Sequence, residues 1–141
     1  MKRVLDSSVC FKWVVPELYT DKALVLRNDF NKSIVELIAP DIFPIEVAHA
    51  ITRAERLKRI TPTQGALALA DVMSTLPQLF PYIPLLARAY EISSQMRIGI
   101  YDCLYVALAE RETCDLVTAD DKLIKNLQPR FPFIVHLSSL P

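Results

Sequence analysis

Glycine is scarce in this sequence, since Gly65 and Gly99 are the only two among 141 residues. P-loops and dinucleotide-binding turns need several closely spaced glycines so that the backbone can approach a phosphate group. Two isolated glycines exclude both kinds of loop. If the protein handles phosphate, side chains or a bound metal must do so.

An excess of either charge is also missing. Sixteen lysines and arginines balance sixteen aspartates and glutamates, so the formal net charge is +0. Taken alone, this balance argues against a nucleic-acid partner or an acidic membrane surface. If several of the acids share a pocket that a metal neutralises, however, the remaining surface is more basic than the sum indicates.

Closely spaced cysteines and long apolar runs are absent as well. Cys10, Cys103 and Cys114 form no pair with metal-ligand spacing, and an odd number of thiols is typical of a reducing compartment. Asp6 and Lys12 interrupt the apolar N-terminal stretch, and no segment approaches the roughly 20 uncharged apolar residues of a membrane span. We therefore expect a cytoplasmic protein that makes no contact with a membrane.

Hydrophobic residues make up 52% of the chain and charged residues 23%. This composition supplies a core and excludes global disorder. The length is that of one domain, and no linker, repeat or low-complexity tract indicates a boundary. The sequence therefore predicts a single domain over residues 1–141.

Segments typical of strands alternate with segments typical of helices. The predicted strands cover residues 3–6, 34–38, 115–118 and 133–137, with a short one in LFPYIPLL. The predicted helices cover residues 8–15, 21–30, 42–57, 62–76, 84–96, 103–112 and 120–127. Thr20 and Thr61 stand where they can cap two of these helices. The alternation predicts an α/β fold with a largely parallel sheet that helices cover on both faces, and it leaves the strand order open.

Four carboxylates fall where βα connections or early helical turns place them. Asp6 ends the first strand, Glu46 lies near the start of the helix after the second strand, and Asp102 opens an apolar helix. Asp120 follows the strand over residues 115–118. Because ligands of such sheets bind beyond the carboxyl ends of the strands, these four acids can converge on one site.

Each acid also has a simpler structural explanation. Asp102 and Asp120 stand at positions typical of helix N-caps, where aspartate is a preferred residue. Glu46 shares its helical face with a histidine and two arginines, which is typical of a solvated stripe. Asp6 can accept hydrogen bonds from turn amides. The functional interpretation therefore depends on the set and not on any one member.

Clustered carboxylates repel one another, which raises their pKa values. A divalent cation removes this repulsion, and a site with only oxygen ligands favours Mg²⁺ or Mn²⁺. Such an ion commonly binds a substrate phosphate as well. The acids therefore favour a site that hydrolyses a phosphate ester.

Four stretches of the chain resemble the motifs of the PIN-domain nucleases and, among them, the VapC-type toxin ribonucleases. They are LDSSVCFKWVVPE (5–17), APDIFPIEVAHAI (39–51), IYDCLYVALAE (100–110) and LVTADDKL (116–123). They occur in the family's order and at similar intervals, so the resemblance covers nearly the whole chain. It implies a three-layer α/β/α sandwich around a central, mainly parallel sheet.

The resemblance also implies an active site. The family's motif acids correspond to Asp6, Glu46, Asp102 and Asp120. Asp6 and Asp102 resemble direct ligands of Mg²⁺ or Mn²⁺, and the other two acids would hold metal-bound waters or a second ion. Ser8 and Thr118 match small hydroxyl residues that support the pocket through hydrogen bonds. Asp121 stays outside this set.

Two polar features beside the acids remain open. Many relatives have asparagine where this chain has His49, which is either a phosphate contact or, as we favour, a helix-packing position. Eight cations are candidates for an RNA track, although Arg59 can instead pair with Glu55 one helical turn away. They are Lys2, Arg3, Lys12, Arg53, Arg56, Lys58, Arg59 and Lys122.

The activity implied by the resemblance is metal-dependent cleavage of RNA by the toxin of a type II toxin–antitoxin pair. Its partners would be RNA, an antitoxin whose tail covers the acidic pocket, and a second copy of the chain. The alternatives are a non-catalytic PIN-like binding module and a housekeeping RNA-processing nuclease. A phospho-acceptor protein is disfavoured, because Asp6 is followed by Ser7 and Ser8 where such proteins need a second acid.

Overall fold

The computed structural model describes all residues 1–141. The strands are β1 (Lys2–Leu5), β2 (Glu36–Pro40), β3 (Gln78–Phe80), β4 (Asp115–Thr118) and β5 (Ile134–His136). The helices are α1 (Ser7–Val14), α2 (Thr20–Asn31), α3 (Phe43–Arg56), α4 (Pro62–Met73), α5 (Ile83–Met96), α6 (Ile100–Glu112) and α7 (Asp121–Leu127). A short 3₁₀ helix, Leu137–Ser139, follows β5.

The five strands form one sheet in the order β3-β2-β1-β4-β5, and every neighbouring pair is parallel. The helical crossovers from β1 to β2 and from β2 to β3 step toward one edge. Those from β3 to β4 and from β4 to β5 step toward the other. Because such crossovers are right-handed, α1 to α4 cover one face and α5 to α7 cover the opposite face. The predicted α/β/α sandwich is confirmed, and its sheet is wholly parallel.

This topology reverses direction between β1 and β4. Open α/β sheets bind their ligands at such a switch point, beyond the carboxyl ends of the strands. The backbone of Asp6 extends the pairing here, since its N–H donates to the Val117 carbonyl at 3.0 Å. The first predicted acid therefore lies at the position where the fold opens a crevice.

The central strands and α6 are apolar because they are surrounded by other parts of the protein on nearly all sides. Val4, Leu5, Leu116 and Val117 are completely buried in the two middle strands. Residues 103–109 of α6 are all buried, so this helix packs against protein on most of its sides. None of the helices has both the length and the apolar character that a membrane-spanning segment requires.

The two predicted threonine caps have different outcomes. Thr61 forms the complete capping box of α4, because its hydroxyl accepts from the Gln64 N–H while the Gln64 side-chain oxygen accepts from the Thr61 N–H. Thr20 does not cap α2, so that prediction is wrong. Its hydroxyl accepts from the Glu17 N–H at 2.9 Å, within the turn that precedes the helix. The cap position belongs to Tyr19, which has a φ of 68°.

Candidate active site

A cleft of about 790 Å³ opens at the switch point between β1 and β4. All four predicted acids line it: Asp6, Glu46, Asp102 and Asp120. They come from the end of β1, the first turn of α3, the first turn of α6 and the residue that caps α7. The tertiary structure therefore brings together acids that the sequence separates by more than a hundred residues.

Asp6 is the most deeply buried of these acids. It takes the extended backbone conformation of an N-cap before α1, but its side chain makes no capping hydrogen bond. Its Oδ2 instead accepts from the Ser8 hydroxyl at 2.5 Å and from the Thr118 hydroxyl at 2.8 Å. Burial raises the pKa of Asp6, while these two hydroxyl donors oppose the rise.

The same two hydroxyls tie the end of β1 to the loop after β4. The Ser8 hydroxyl accepts from the Ala119 N–H, and the Thr118 hydroxyl accepts from the Asp120 N–H, each at 3.0 Å. Both hydroxyls therefore donate to Asp6 and accept from the neighbouring backbone. This network orients the Asp6 carboxylate without placing a positive charge beside it.

Both Asp120 and Asp102 were candidates for helix caps, and the structure shows that only Asp120 is one. Asp120 caps α7, because its Oδ1 accepts from the Lys122 N–H at 2.9 Å and from the Leu123 N–H at 3.4 Å. Asp102 does not cap a helix. It is the third residue of α6, whose cap position is Gly99, and its carboxylate accepts no hydrogen bond from the protein.

The pKa of the Asp102 carboxylate is strongly raised. Burial raises its pKa from 3.8 to about 7, and the charges of Asp6, Asp120 and Glu46 add to the rise. No lysine or arginine contributes to lowering it. A partly buried, unpartnered carboxylate among like charges is a site that attracts a cation.

Glu46 is held by a residue that the sequence analysis missed. The hydroxyl of Tyr105, a completely buried residue of α6, donates to Glu46 Oε1 at 2.7 Å. Burial raises the pKa of Glu46, the Tyr105 hydrogen bond opposes this, and the Asp6 charge adds to the rise. One signal was available in the sequence, since Tyr105 lies three residues after Asp102 and so shares its helical face.

The donor set of the cleft fits a hard divalent cation. Every candidate ligand is a carboxylate oxygen, and Asp102 has no competing protein partner. No three His, Cys, Asp or Glu side chains are arranged to enclose an ion by themselves. An open site of this kind suits Mg²⁺, which keeps several waters and takes one or two carboxylates from the protein.

The structure also decides the positions of three further polar residues that the sequence singled out, His49, Asp121 and Arg59. His49 is exposed and lines the cleft, so the favoured helix-packing interpretation is wrong. Asp121 is exposed at the start of α7 and does not line the cleft. Arg59 pairs with Glu17 at 3.0 Å and not with Glu55, because the chain turns at the end of α3.

Comparison with known proteins agrees with this geometry. The family model described as the PIN domain matches residues 3–127. Ribonuclease VapC1 of Mycobacterium tuberculosis is 35% identical over 103 residues, which span 72% of this chain and 74% of that protein. Ribonuclease VapC9 of the same organism is 32% identical over 99 residues, spanning 70% and 76% of the two chains.

Two solved structures share the fold. PAE2754 from Pyrobaculum aerophilum superposes with a TM-score of 0.70 at 19% identity, covering 99% of this chain and 94% of that one. VapBC2 from Rickettsia felis, solved bound to a DNA fragment from its promoter, gives 0.67 at 17% identity, covering 96% and 97%. The match to the family model and the identity to the VapC ribonucleases, together with the fold, lead to one assignment: this chain belongs to the PIN-domain family and is of the VapC type.

Proposed function

We propose that this protein is a divalent-metal-dependent endoribonuclease. The observation that carries the proposal is the cleft at the switch point, where four carboxylates converge and no protein cation neutralises them. The similarity to proteins named VapC ribonucleases supports RNA as the substrate.

Asp6 and Asp102 are the residues that would hold Mg²⁺ or Mn²⁺. Glu46 and Asp120 would complete the site by accepting hydrogen bonds from water. A bound divalent ion supplies charge neutralisation at the scissile phosphate and lowers the pKa of water. The chain contributes a fixed geometry, because the Ser8, Thr118 and Tyr105 hydroxyls hold two of the carboxylates in place.

Cleavage of labelled RNA by the purified protein tests this proposal. We expect cleavage in Mg²⁺ or Mn²⁺ and none in EDTA. Asp6→Asn and Asp102→Asn should each abolish it, whereas Asp121→Asn, which alters an exposed acid outside the cleft, should leave it intact. Cleavage that survives both cleft substitutions would refute the assignment, and RNA binding without cleavage in the wild type would favour a non-catalytic module.

We further propose that the protein acts in the cytoplasm as the toxin of a toxin–antitoxin pair. The names of the VapC relatives and of the VapBC2 neighbour support such a partner. The cleft is suited to a basic antitoxin side chain, because its acids have no cation of their own. Co-expression with the protein encoded by the adjacent reading frame should suppress cleavage, and failure to form a complex would argue for a housekeeping nuclease.

A homodimer is the third element of the proposal. Three apolar side chains of α5 are exposed: Ile83, Leu86 and Tyr90. Contiguous exposed apolar residues are typical of protein interfaces. Light scattering of the wild type and of Ile83→Asp tests this contact, since the substitution should shift a dimer to monomers.

A further inference from the structure

The cleft has a second polar side, which we call the cationic wall and define as Lys12, Glu17, Arg53 and Arg59. Lys12, Glu17 and Arg53 line the cleft directly. Arg59 joins them through Glu17 and through Phe11, whose ring lies 5.7 Å from its guanidinium carbon. The wall combines three positive charges with one negative charge.

Lys12 and Arg59 both form ion pairs with Glu17. The ammonium group of Lys12 lies 3.1 Å from Glu17 Oε1, and the guanidinium of Arg59 lies 3.0 Å from Oε2. The Lys12 side chain is only 11% exposed, so this pair is shielded from solvent more than a typical surface pair. Each of these cations therefore already has a carboxylate partner.

The backbone fixes this arrangement from two sides. Lys58 takes a φ of 58° at the end of α3, and the Arg59 N–H then donates to the Ala54 carbonyl at 2.9 Å. These are the features of a Schellman motif, which sets the direction of the chain after a helix. Glu17 is fixed by the hydrogen bond from its N–H to Thr20.

Arg53 differs from the other two cations. It makes no ion pair and no side-chain hydrogen bond, although it is exposed within the cleft. It lies seven residues after Glu46 on the same face of α3, which places it about 10 Å further along the helix axis. Its guanidinium therefore does not neutralise the acids and remains free to bind an anion.

We propose that Arg53 contacts an RNA phosphate that neighbours the one cleaved at the acids. This inference rests on the proposed function, because the acids define where the scissile phosphate lies. A guanidinium presents paired N–H donors that match two phosphate oxygens. Because Lys12 and Arg59 are both ion-paired with Glu17, Arg53 is the residue of the cationic wall that binds the phosphate. Lys12 and Arg59 contribute only a weaker, partly neutralised positive charge near the RNA.

Equilibrium binding without divalent ions tests this proposal separately from cleavage. Fluorescence anisotropy of labelled single-stranded RNA is measured in EDTA with the full-length protein and its variants. Arg53→Gln should weaken binding about 10-fold, as expected for one charged hydrogen-bonded contact. The slope of log affinity against log salt should fall by about 0.7, the value for one phosphate contact on a single strand.

Arg56→Gln is the matched control. Arg56 lies on the same helix and carries the same charge, but it does not line the cleft. Its substitution should change the affinity less than 2-fold, since distant surface charges are screened. Equal losses for Arg53→Gln and Arg56→Gln would overturn the proposal in favour of diffuse attraction.

Glu17→Gln provides a test with the opposite sign. It releases Lys12 and Arg59 from their carboxylate, so RNA binding should strengthen, by about 2- to 5-fold. Weaker binding by a folded Glu17→Gln protein would contradict the view that this carboxylate holds the two cations away from RNA.

Two further comparisons identify the ligand chemistry. Arg53→Lys should restore the affinity only in part, because an ammonium group cannot pair with two oxygens at once. Unrelated RNA sequences should show the same loss on Arg53→Gln, because a phosphate contact carries no sequence information. If poly-glutamate of equal charge competes as well as RNA and with the same dependence on Arg53, the wall recognises an acidic protein segment and the proposal fails. Absence of cleavage would refute the proposed function and leave these binding results intact.

Discussion

Replacement of Asp102 by asparagine should stabilise the metal-free protein at neutral pH. The carboxylate lies among three like charges, accepts no hydrogen bond from the protein and is partly buried. Its pKa rises from 3.8 to about 7 on folding, chiefly through burial. Between these two pH values, the folded protein therefore holds a proton on Asp102 that the unfolded chain has already released.

The sign of the pH dependence follows from this difference. Between pH 3.8 and about 7, the folded state binds more protons at Asp102 than the unfolded state does, so ionisation there lowers the free energy of unfolding as the pH rises. The Asp102 contribution is absent below pH 3.8 and complete above pH 7. Glu110 and Glu112, whose pKa values are lowered by their arginine and lysine partners, act in the opposite direction. They are common to both proteins and cancel when the two are compared.

The magnitude can be bounded from the pKa values. The difference between 3.8 and about 7 corresponds to at most about 4 kcal/mol, because one pKa unit is worth about 1.4 kcal/mol. Solvent reaches part of the Asp102 side chain and screens its charge, so we expect about 2 kcal/mol. For a chain of this size, that difference raises the melting temperature by about 6 °C.

Thermal and urea unfolding in EDTA at pH 4 and pH 8 measures this effect. The wild type and Asp102→Asn should be equally stable at pH 4, and the variant should be more stable at pH 8. Saturating Mg²⁺ should reverse the order at pH 8, because binding at 100 times Kd stabilises the wild type by about 2.7 kcal/mol and the variant has lost a ligand. A variant that is no more stable than the wild type at pH 8 in EDTA would refute the argument that burial and the neighbouring acids make the Asp102 charge unfavourable.

The remaining predictions concern groups that support the site and the fold. Tyr105→Phe should keep the fold, reduce cleavage about 10-fold and move the acidic limb of the pH–rate profile upward, because Glu46 loses the donor that lowers its pKa. Thr118→Val should lower the free energy of unfolding by about 1–3 kcal/mol and reduce cleavage, because it removes a buried donor to Asp6. Thr61→Ala should cost about 1 kcal/mol by breaking the capping box of α4, with cleavage unchanged.

The Tyr105 and Thr118 substitutions each have a control on the surface. Tyr90→Phe removes the hydroxyl of an exposed tyrosine and should leave the pH–rate profile unchanged. Thr52→Val removes an exposed hydroxyl that bonds only within α3 and should change stability by less than about 0.5 kcal/mol. An unshifted profile for Tyr105→Phe, or a Thr118→Val protein as stable as Thr52→Val, would contradict the assigned hydrogen bonds. Loss of cleavage by a folded Thr61→Ala would show that α4 contributes to the site.

The hydrogen-bond network at Asp6 explains how this fold accommodates a buried carboxylate. Ser8 and Thr118 donate to the carboxylate and accept from the backbone beyond β4, so none of these polar groups is left without a partner. Asp6 is thus positioned by neutral donors. A lysine or arginine in their place would have neutralised the charge that attracts a cation.

The sequence by itself determined the local features of the protein. The capping box at Thr61, the buried apolar helix α6 and the placement of Asp6 at the end of a strand all depend on neighbouring residues. Alternation of strand and helix patterns determined the fold class, because only a parallel sheet accommodates such connections. The position of the acids at strand ends and first helical turns followed from the same patterns.

Only the tertiary structure decided which residues meet. The order of the strands places the reversal between β1 and β4, and the sequence contains no local signal for that order. Tyr105 reaches Glu46 across 59 residues, and Arg59 reaches Glu17 across 42, in preference to the nearer Glu55. Asp120 caps its helix while Asp102 does not. The difference depends on where each helix begins relative to the cleft, and that is decided by packing between distant segments and not by helical propensity.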